Sequence, residues 1–375
     1  MSQALTGIRV IELCDRSATL AGRILADLGA EVIMVEPPGG SSLRAEAPFL
    51  DDTPGPEHSF GHLYFNTNKR SVVADLNTED GQEAFCRLVA TADVLIDTCT
   101  AGELETLGLG HNTLRGICPG LIQCSVTPFG LLSPWQARKA NDIVAGAAGG
   151  LIQVSGSPQG TPVQGGANPS YTMAGLAAAS AITMALHHRD FAGGNSGVHI
   201  DLSLQNATAL AVMQTQSPGQ WQWHGRLPRR PGLSAAMACR DGKFVSLLVR
   251  PDRFQGFLAW ADQVGIDHGM TDEDWHYARL ESPREGNPVA ETTLKLAAAL
   301  TRDEFVEGAL AADIICLPVL DFPDLEQAEQ YRVNDQFLTR HHDGLDRDLG
   351  YVRSPVDAMA DGVELARAPM LGERV

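Results

Sequence analysis

Residues 7–40 read GIRVIELCDRSATLAGRILADLGAEVIMVEPPGG, in the order strand, loop, helix, strand. The run 8–13 is short, apolar and rich in β-branched residues. Residues 20–28 place apolar side chains at helical spacing and stop at Gly29, a helix C-terminal signal. Residues 31–35 make a second apolar run, closed by Pro37, Pro38, Gly39 and Gly40. Two strands joined by one helix of this length predict a right-handed βαβ unit in a parallel sheet.

Units of this kind often hold a dinucleotide, but this one lacks the means. Its strand–helix turn, Cys14-Asp15-Arg16-Ser17-Ala18-Thr19, contains no glycine. A G-x-G-x-x-G turn works because glycine lets the backbone approach a pyrophosphate closely. Without it, Glu36 loses its reading as a ribose-binding acid and becomes a solvated strand end.

The alternation continues downstream. Residues 39–62, polar and proline-containing, read as a loop over the sheet. Residues 71–76 predict a third strand, and 78–92 an amphipathic helix capped by Asn77 or Thr78. A fourth strand at 94–97, short helices at 101–107 and 112–117, and a fifth strand at 121–126 follow. This is the pattern of a doubly wound α/β domain. Stretches 141–154 and 170–188 are rich in Ala and Gly and nearly free of charge, which predicts helices packed closely on each other or on a second subunit. Residues 198–202 predict a strand and 203–212 its helix. Near 220–231, Trp221, Trp223, Arg226, Arg229 and Arg230 mark a crossover into a second domain. There the pattern predicts strands at 243–249 and 316–320, and helices at 252–264, 289–300, 303–312 and 323–331.

Bulk properties exclude several classes. The 375 residues suffice for roughly two domains, and 44% are hydrophobic. A net charge of −18 repels phosphate backbones, so nucleic acid is not an expected partner. Any anionic ligand must meet local positive charge. No apolar run reaches the ~18 residues of a membrane span, and residues 1–7 are short and polar. A cytoplasmic protein without an export signal is expected. Seven cysteines without C-x-x-C spacing predict reduced, buried thiols. The adjacent pairs His187-His188 and His341-His342 cannot point at one centre and read as surface residues; no metal is expected.

Several segments together resemble the type III CoA-transferase family, the CaiB/BaiF group of formyl-CoA transferase, carnitine CoA-transferase and 2-methylacyl-CoA racemase. They are V-I-E-L … A-D-L-G-A-E-V-I-x-V-E-P-P-G-G at 10–40, N-x-N-K-R-S-V-x-x-D-L at 66–76, and A-D-V-L-I-D … L-G-L-G … P-G-L-I-x-C-S-V-x-x-F-G at 92–130. Ser133-Pro134-Trp135, Lys139-Ala140-Asn141-Asp142 and the tail A-P-M-L-G-E complete the match. The resemblance implies interlocked ring-like chains in a dimer. Each would have a Rossmann-like, parallel-sheet large domain built from both termini and a smaller inserted α/β domain. The boundaries expected are 1–220, 221–325 and 326–375.

The resemblance also implies coenzyme A, or its acyl thioesters, as the ligand. Carried over by position, the CoA-binding candidates are Ala74, Asp75, Leu76, Asn77, Thr98, Cys99, Thr100, Thr106, Lys139, Ala140, Asn141 and Asp142. Lys139 suits a phosphate in an acidic protein; Lys69 and Arg70 are further cations. Relatives often carry phosphate-binding arginines where this chain has Pro37 and Thr106, and only Arg229-Arg230-Pro231-Gly232 stands near their glycine-rich flap. Trp221, Trp223 and Met213 suit an apolar or aromatic substrate and core packing equally.

The largest departure is at the catalytic position. Family transferases attack the thioester with an aspartate four residues before a glycine, forming a mixed anhydride. Here the glycine is Gly175 and the position is Tyr171, a phenol of ordinary pKa near 10. The racemase histidine position is Asn141. Three readings follow. The chain is the non-catalytic subunit of a heteromer that moves CoA between an acyl-CoA and a free carboxylic acid, with a related aspartate-bearing subunit as partner. Or it is an active enzyme of altered chemistry, with Tyr171 as acid and Asp142 or Asp201 as base. Or it binds acyl-CoA without turnover.

Overall fold

The structure is a computed structural model and describes residues 3–156, 161–193, 196–213, 225, 236–278, 286–354 and 365–373. The chain divides into two compact units. Met1–Ser155, Val163–Pro228 and Asn334–Val375 make the first; Gly156–Pro162 and Arg229–Val333 make the second.

The opening segment folds as β1 (Arg9–Leu13), α1 (Thr19–Asp27) and β2 (Glu31–Glu36). Gly29 ends α1 at φ +99°, a conformation that favours glycine. β1 and β2 pair in parallel, Val10 beside Val32. Then follow α2 (Phe60–Phe65), β3 (Lys69–Val73), α3 (Glu79–Val89), β4 (Val94–Asp97), α4 (Glu103–Thr106), α5 (His111–Ile117) and β5 (Ile122–Thr127). α6 (Asp142–Ala148), α7 (Leu151–Val154), α8 (Pro169–Phe191), β6 (His199–Ser203) and α9 (Leu204–Met213) complete the run. The six strands form one parallel sheet of order β3-β2-β1-β4-β5-β6. Helices cover both faces. Val10, Val32, Ile96, Ile122 and Val126 pack with α1, α6, α8 and α9 on one, and Ile11, Ile33 and Leu95 pack with α3 and α5 on the other.

The second unit is separate and smaller. β7 (Met237–Ala238), β8 (Phe244–Leu248) and β9 (Ile315–Val319) make an antiparallel sheet. α10 (Phe254–Val264), α11 (Pro288–Ala299) and α12 (Arg302–Ala311) bury Phe257, Trp260, Leu296 and Phe305 with it. α13 (Phe322–Gln327) and α14 (Glu329–Val333) follow. Back in the first unit, β10 (Phe337–His342) and β11 (Arg347–Val352) form an antiparallel hairpin.

Four expectations need correction here, and one hairpin was not anticipated. The third strand is Lys69–Val73, ending where Asp75 Oδ1 accepts the Asn77 N–H in a side-chain-closed turn. The loop expected over 39–62 runs into helix α2, capped by Ser59. The helix expected over 323–331 breaks at Ala328, whose ψ of 128° is extended. The β10–β11 hairpin is not anticipated, because Phe337 and Leu338 are adjacent and the four residues after them in β10 are polar, so no apolar alternation shows. His342 is fully buried, not at the surface. The crossover residues Trp221, Trp223, Arg226, Arg229, Arg230, Pro231 and Gly232, and the Met213 side chain, lie outside the described residues.

A buried polar network ties the start of the first unit to its end. The Lys69 ammonium meets the Glu12 carboxylate at 2.7 and 2.9 Å, the Thr19 carbonyl and hydroxyl at 2.9 Å, and Asn66 Oδ1 at 3.0 Å. Asn66 Nδ2 donates to His62 Nδ1 (2.9 Å), so His62 Nε2–H donates to the Pro369 carbonyl (2.9 Å). Arg44 donates twice to Glu36, at 2.7 and 2.9 Å, and also to Glu57 and to the Pro369 carbonyl. Glu36, 1% exposed, also accepts from Ser71. It is therefore no solvated strand end.

Candidate functional site

In an open parallel sheet, ligands bind beyond the C-terminal strand ends, at the point where strand order reverses. Here that point lies between β1 and β4. The turn after β1 meets the loop after β4 directly, because the Asp15 N–H donates to Thr98 Oγ1 (2.9 Å) and the Thr98 N–H to the Leu13 carbonyl (3.2 Å). Asp15 Oδ1 accepts from both the Ser17 N–H and its hydroxyl, which closes the glycine-free turn and fixes the carboxylate.

Tyr171 lies in the first turn of α8, whose close approach to α1 is set by Gly175. A Cβ there would stand 2.8 Å from Leu20 Cβ. Half-buried, the Tyr171 ring packs against the same apolar cluster as α1. Its N–H donates to Asp142 Oδ1 (2.9 Å), and the other Asp142 oxygen accepts from Gln164 Nε2 (2.5 Å). Asp142 is thus a buried clamp between the starts of α6 and α8. Asn168, before α8, accepts from Arg16 Nη2 (2.9 Å), and Arg16 pairs with Glu46 (2.6 Å). Burial pushes the Tyr171 phenol above its usual value, and the charges of Asp15, Asp142 and Glu46 add to this, against the Asp142 backbone N–H. The phenol stays neutral throughout the physiological range.

The remaining candidates are spread along the same sheet edge. Ala74, Asp75, Leu76 and Asn77 form the turn after β3, with Ala74 buried under it. Thr98, Cys99 and Thr100 follow β4; Thr100 is held by Glu103 through its N–H and hydroxyl. Burial drives the Cys99 thiol far above its normal range, so it is no nucleophile. Thr106, exposed at the end of α4, donates back to the Gly102 carbonyl. Lys139 is exposed, Ala140 half-buried, and Asn141 caps α6 by accepting from the Val144 N–H. Lys69 leaves the list of phosphate contacts, since all its donors are used inside the protein; Arg70 pairs with Glu31.

The two proposed bases stand in different places. Asp142 is beside Tyr171, and each of its oxygens already accepts one hydrogen bond from the protein. Asp201 pairs in register with Ser125, while Ile200 and Leu202 face the cluster that holds Tyr171, so Asp201 lies on the opposite face of the sheet. That face carries an Asp97–Ser125–His199 chain that resembles a hydrolytic triad. Ser125 donates to Asp97 (2.8 Å) and hence accepts from His199 (2.9 Å), the reverse of an activated nucleophile. Among the described residues, no group of three His, Cys, Asp or Glu is placed to hold a metal ion.

The CoA-transferase family III model matches residues 5–375. The chain belongs to this family. CoA thioesters are the family's substrates. A succinyl-CoA:mesaconate CoA-transferase of Haloarcula hispanica is 33% identical, over 99% of this chain and 94% of its own. The BbsE subunit of succinyl-CoA:(R)-benzylsuccinate CoA-transferase from Thauera aromatica is 29% identical, over 100% of this chain and 93% of its own. The alpha subunit of a Chloroflexus aurantiacus succinyl-CoA–L-malate CoA-transferase is 28% identical over 91% and 80%. Among solved structures, a CaiB/BaiF family protein from Brucella suis superposes with a TM-score of 0.83 at 27% identity, covering 100% of this chain and 97% of that one. No helix of the described residues is long and apolar enough to cross a membrane.

Sequence reasoning missed Asp15, Arg16, Glu46, Gln164 and Asn168 as neighbours of Tyr171. The glycine-free turn that carries Asp15 and Arg16 was the one visible signal.

Proposed function

We propose that this chain is the non-catalytic half of a heteromeric family III CoA transferase. The complex moves CoA between an acyl-CoA thioester and a free carboxylic acid, and a related chain supplies the aspartate. The observation that carries this reading is Tyr171, a phenol held neutral among Asp15, Asp142 and Glu46, at the position to which the resemblance assigns the family's nucleophile. A carboxylate attacking a thioester gives a mixed anhydride, reactive enough for released CoA to attack in turn. A neutral phenol is a poor nucleophile, and its acyl product is an ester. In this reading Asp142 fixes the backbone of the position.

Relatives whose names mark them as subunits support a two-chain assembly. So does α8, which exposes Leu176, Met184 and Phe191 at helical spacing, an apolar stripe suited to a partner chain. In this reading Ala74–Asn77, Thr98–Thr100, Thr106 and residues 139–142 line the CoA site.

Native mass spectrometry of the protein from its own host tests the assembly. A related chain with aspartate at the matching position, in a complex that transfers CoA, is the expected result. A homodimer that transfers CoA by itself overturns the non-catalytic assignment.

A further inference from the structure

The sheet face opposite Tyr171 carries a polar cluster that the site above does not use. Its hub is Asp97 at the end of β4, 2% exposed. Gln123 Nε2 (2.9 Å) and Ser125 Oγ (2.8 Å) both donate to Asp97 Oδ2. Gln123 turns its carbonyl oxygen to His111 Nδ1 (2.9 Å), so that nitrogen carries a hydrogen. Ser125 has given its hydrogen to Asp97 and accepts from His199 Nε2 (2.9 Å). Each imidazole therefore points one N–H inwards and keeps one bare nitrogen, His111 Nε2 and His199 Nδ1, for a proton.

The two rings stack, with 4.4 Å between centroids and 18° between planes. Nearly parallel rings aim their lone pairs along nearly parallel lines, which do not converge on one metal ion. The stack also lies where the sheet needs it. β6 is an edge strand, paired with β5. Its Ile200 and Leu202 join the apolar cluster on the Tyr171 face. On the opposite face it presents His199, Asp201 and Ser203, and none of its residues belongs to the apolar cluster around α3 and α5. There the His111 ring of α5 takes the place of apolar cover.

The charged groups that face the pair are Asp201 on β6, Glu105 on α4 and, through Gln123 and Ser125, Asp97 on β4. Asp201 is itself engaged by the Leu131 N–H (3.0 Å), and Arg115 stands one turn further along α5. A neutral ring face attracts a cation, whereas two imidazoliums this close repel. One side of His199 is open to solvent, yet desolvation on its covered side and then the charge of His111 lower its imidazole, against Asp201 and Glu105.

We propose that the stacked His111–His199 pair is a proton-operated clasp between α5 and the edge strand β6, closed while at most one ring is charged and parted when both are. The folded chain binds the second proton more weakly than the unfolded chain, whose histidines titrate at about 6.5, so the clasp loosens as pH falls below that value.

Hydrogen exchange of the full chain, read by mass spectrometry at about pH 7.5 and about pH 5.5 and corrected for the intrinsic pH dependence of exchange, tests this. Protection of peptides covering 111–117 and 199–203 is taken relative to β1, so acid effects shared by the whole unit cancel. In wild type this ratio should fall roughly fivefold between the two conditions, as one suppressed proton predicts. His111→Phe keeps a ring over His199 that cannot charge, and should hold the ratio constant. An unchanged ratio in wild type, or an equal fall in His111→Phe, overturns the clasp. Carbon-13 labelling of the histidine Cε1 positions in wild type gives a reading that needs no variant to fold. The pair should take up its protons in two steps about a unit or more apart, and two independent titrations overturn the proposal.

Discussion

Lys139 is the leading phosphate candidate in the sequence and Lys69 a further cation, and the fold treats the two oppositely. Lys69 is buried at the start of β3 with its donors shared among Glu12, Thr19 and Asn66. Lys139 stands exposed in the loop before α6, and among the described residues no acid pairs with it. The difference separates the two regions they represent. Around Lys69, Arg44 and His62 the charges are internal, matched and inseparable from the fold. Around Tyr171 and the 128–141 loop they are partly open and unmatched. A charge the fold has already satisfied has nothing left for a ligand.

The sharpest way to break this contrast is Lys69→Met, which leaves Glu12 buried without its partner. A loss of about 3–5 kcal/mol in denaturant unfolding is expected. Lys69→Met with Glu12→Gln should recover part of it. A loss below about 1 kcal/mol would show that Lys69 is no more structural than Lys139.

Acid should act on the same region next. Burial, helped by the Arg44 charge, lowers His62 to about 3. The unfolded chain therefore takes up that proton first, and stability falls as pH drops from about 6.5 towards 3. Burial alone raises Glu36, but the Arg44 hydrogen bonds outweigh it and hold the carboxyl at about 2. Its contribution is present above about pH 4.3 and fades as pH falls towards 2. Melting at pH 5 should lie about 5 °C or more below that at pH 7. His62→Gln should flatten this slope; an unchanged slope assigns the acid sensitivity elsewhere.

Asp142→Ala should cost about 1–3 kcal/mol, since it strands the Tyr171 N–H and the Gln164 amide. The smallest effect belongs to Lys139→Gln, within about 0.5 kcal/mol of wild type by thermal melting. A larger loss would place Lys139 with Lys69 after all.

The βαβ opening was legible because helix and strand periods and the Gly29 stop all agree over residues 8–36. The place of Tyr171 four residues before Gly175 is a reading taken from the family resemblance, and the fold adds only that both lie in the first two turns of α8. What could not be read was pairing across distance. Glu36 looks solvated until Arg44 and Ser71 close on it. Asp15 and Glu46 become neighbours of Tyr171 only once the strand ends of the sheet line up. Hydrophobic period reports which face is covered; it carries no information about which charges meet inside. The β10–β11 hairpin escaped for a related reason, since its apolar pairs, Phe337 with Val352 and Leu338 with Tyr351, are neighbours at one end, and polar pairs such as His341 with Asp348 make up the other.

The bonds from Arg44 and His62 to the Pro369 carbonyl span 325 and 307 residues of chain. At ribosomal speeds, that separation corresponds to roughly 15–60 s of synthesis. During that interval, the emerging N-terminal segment carries a guanidinium and an imidazole whose final acceptor does not yet exist. The first unit is thus completed from its far end, and the nascent protein must remain protected until residues 365–373 arrive.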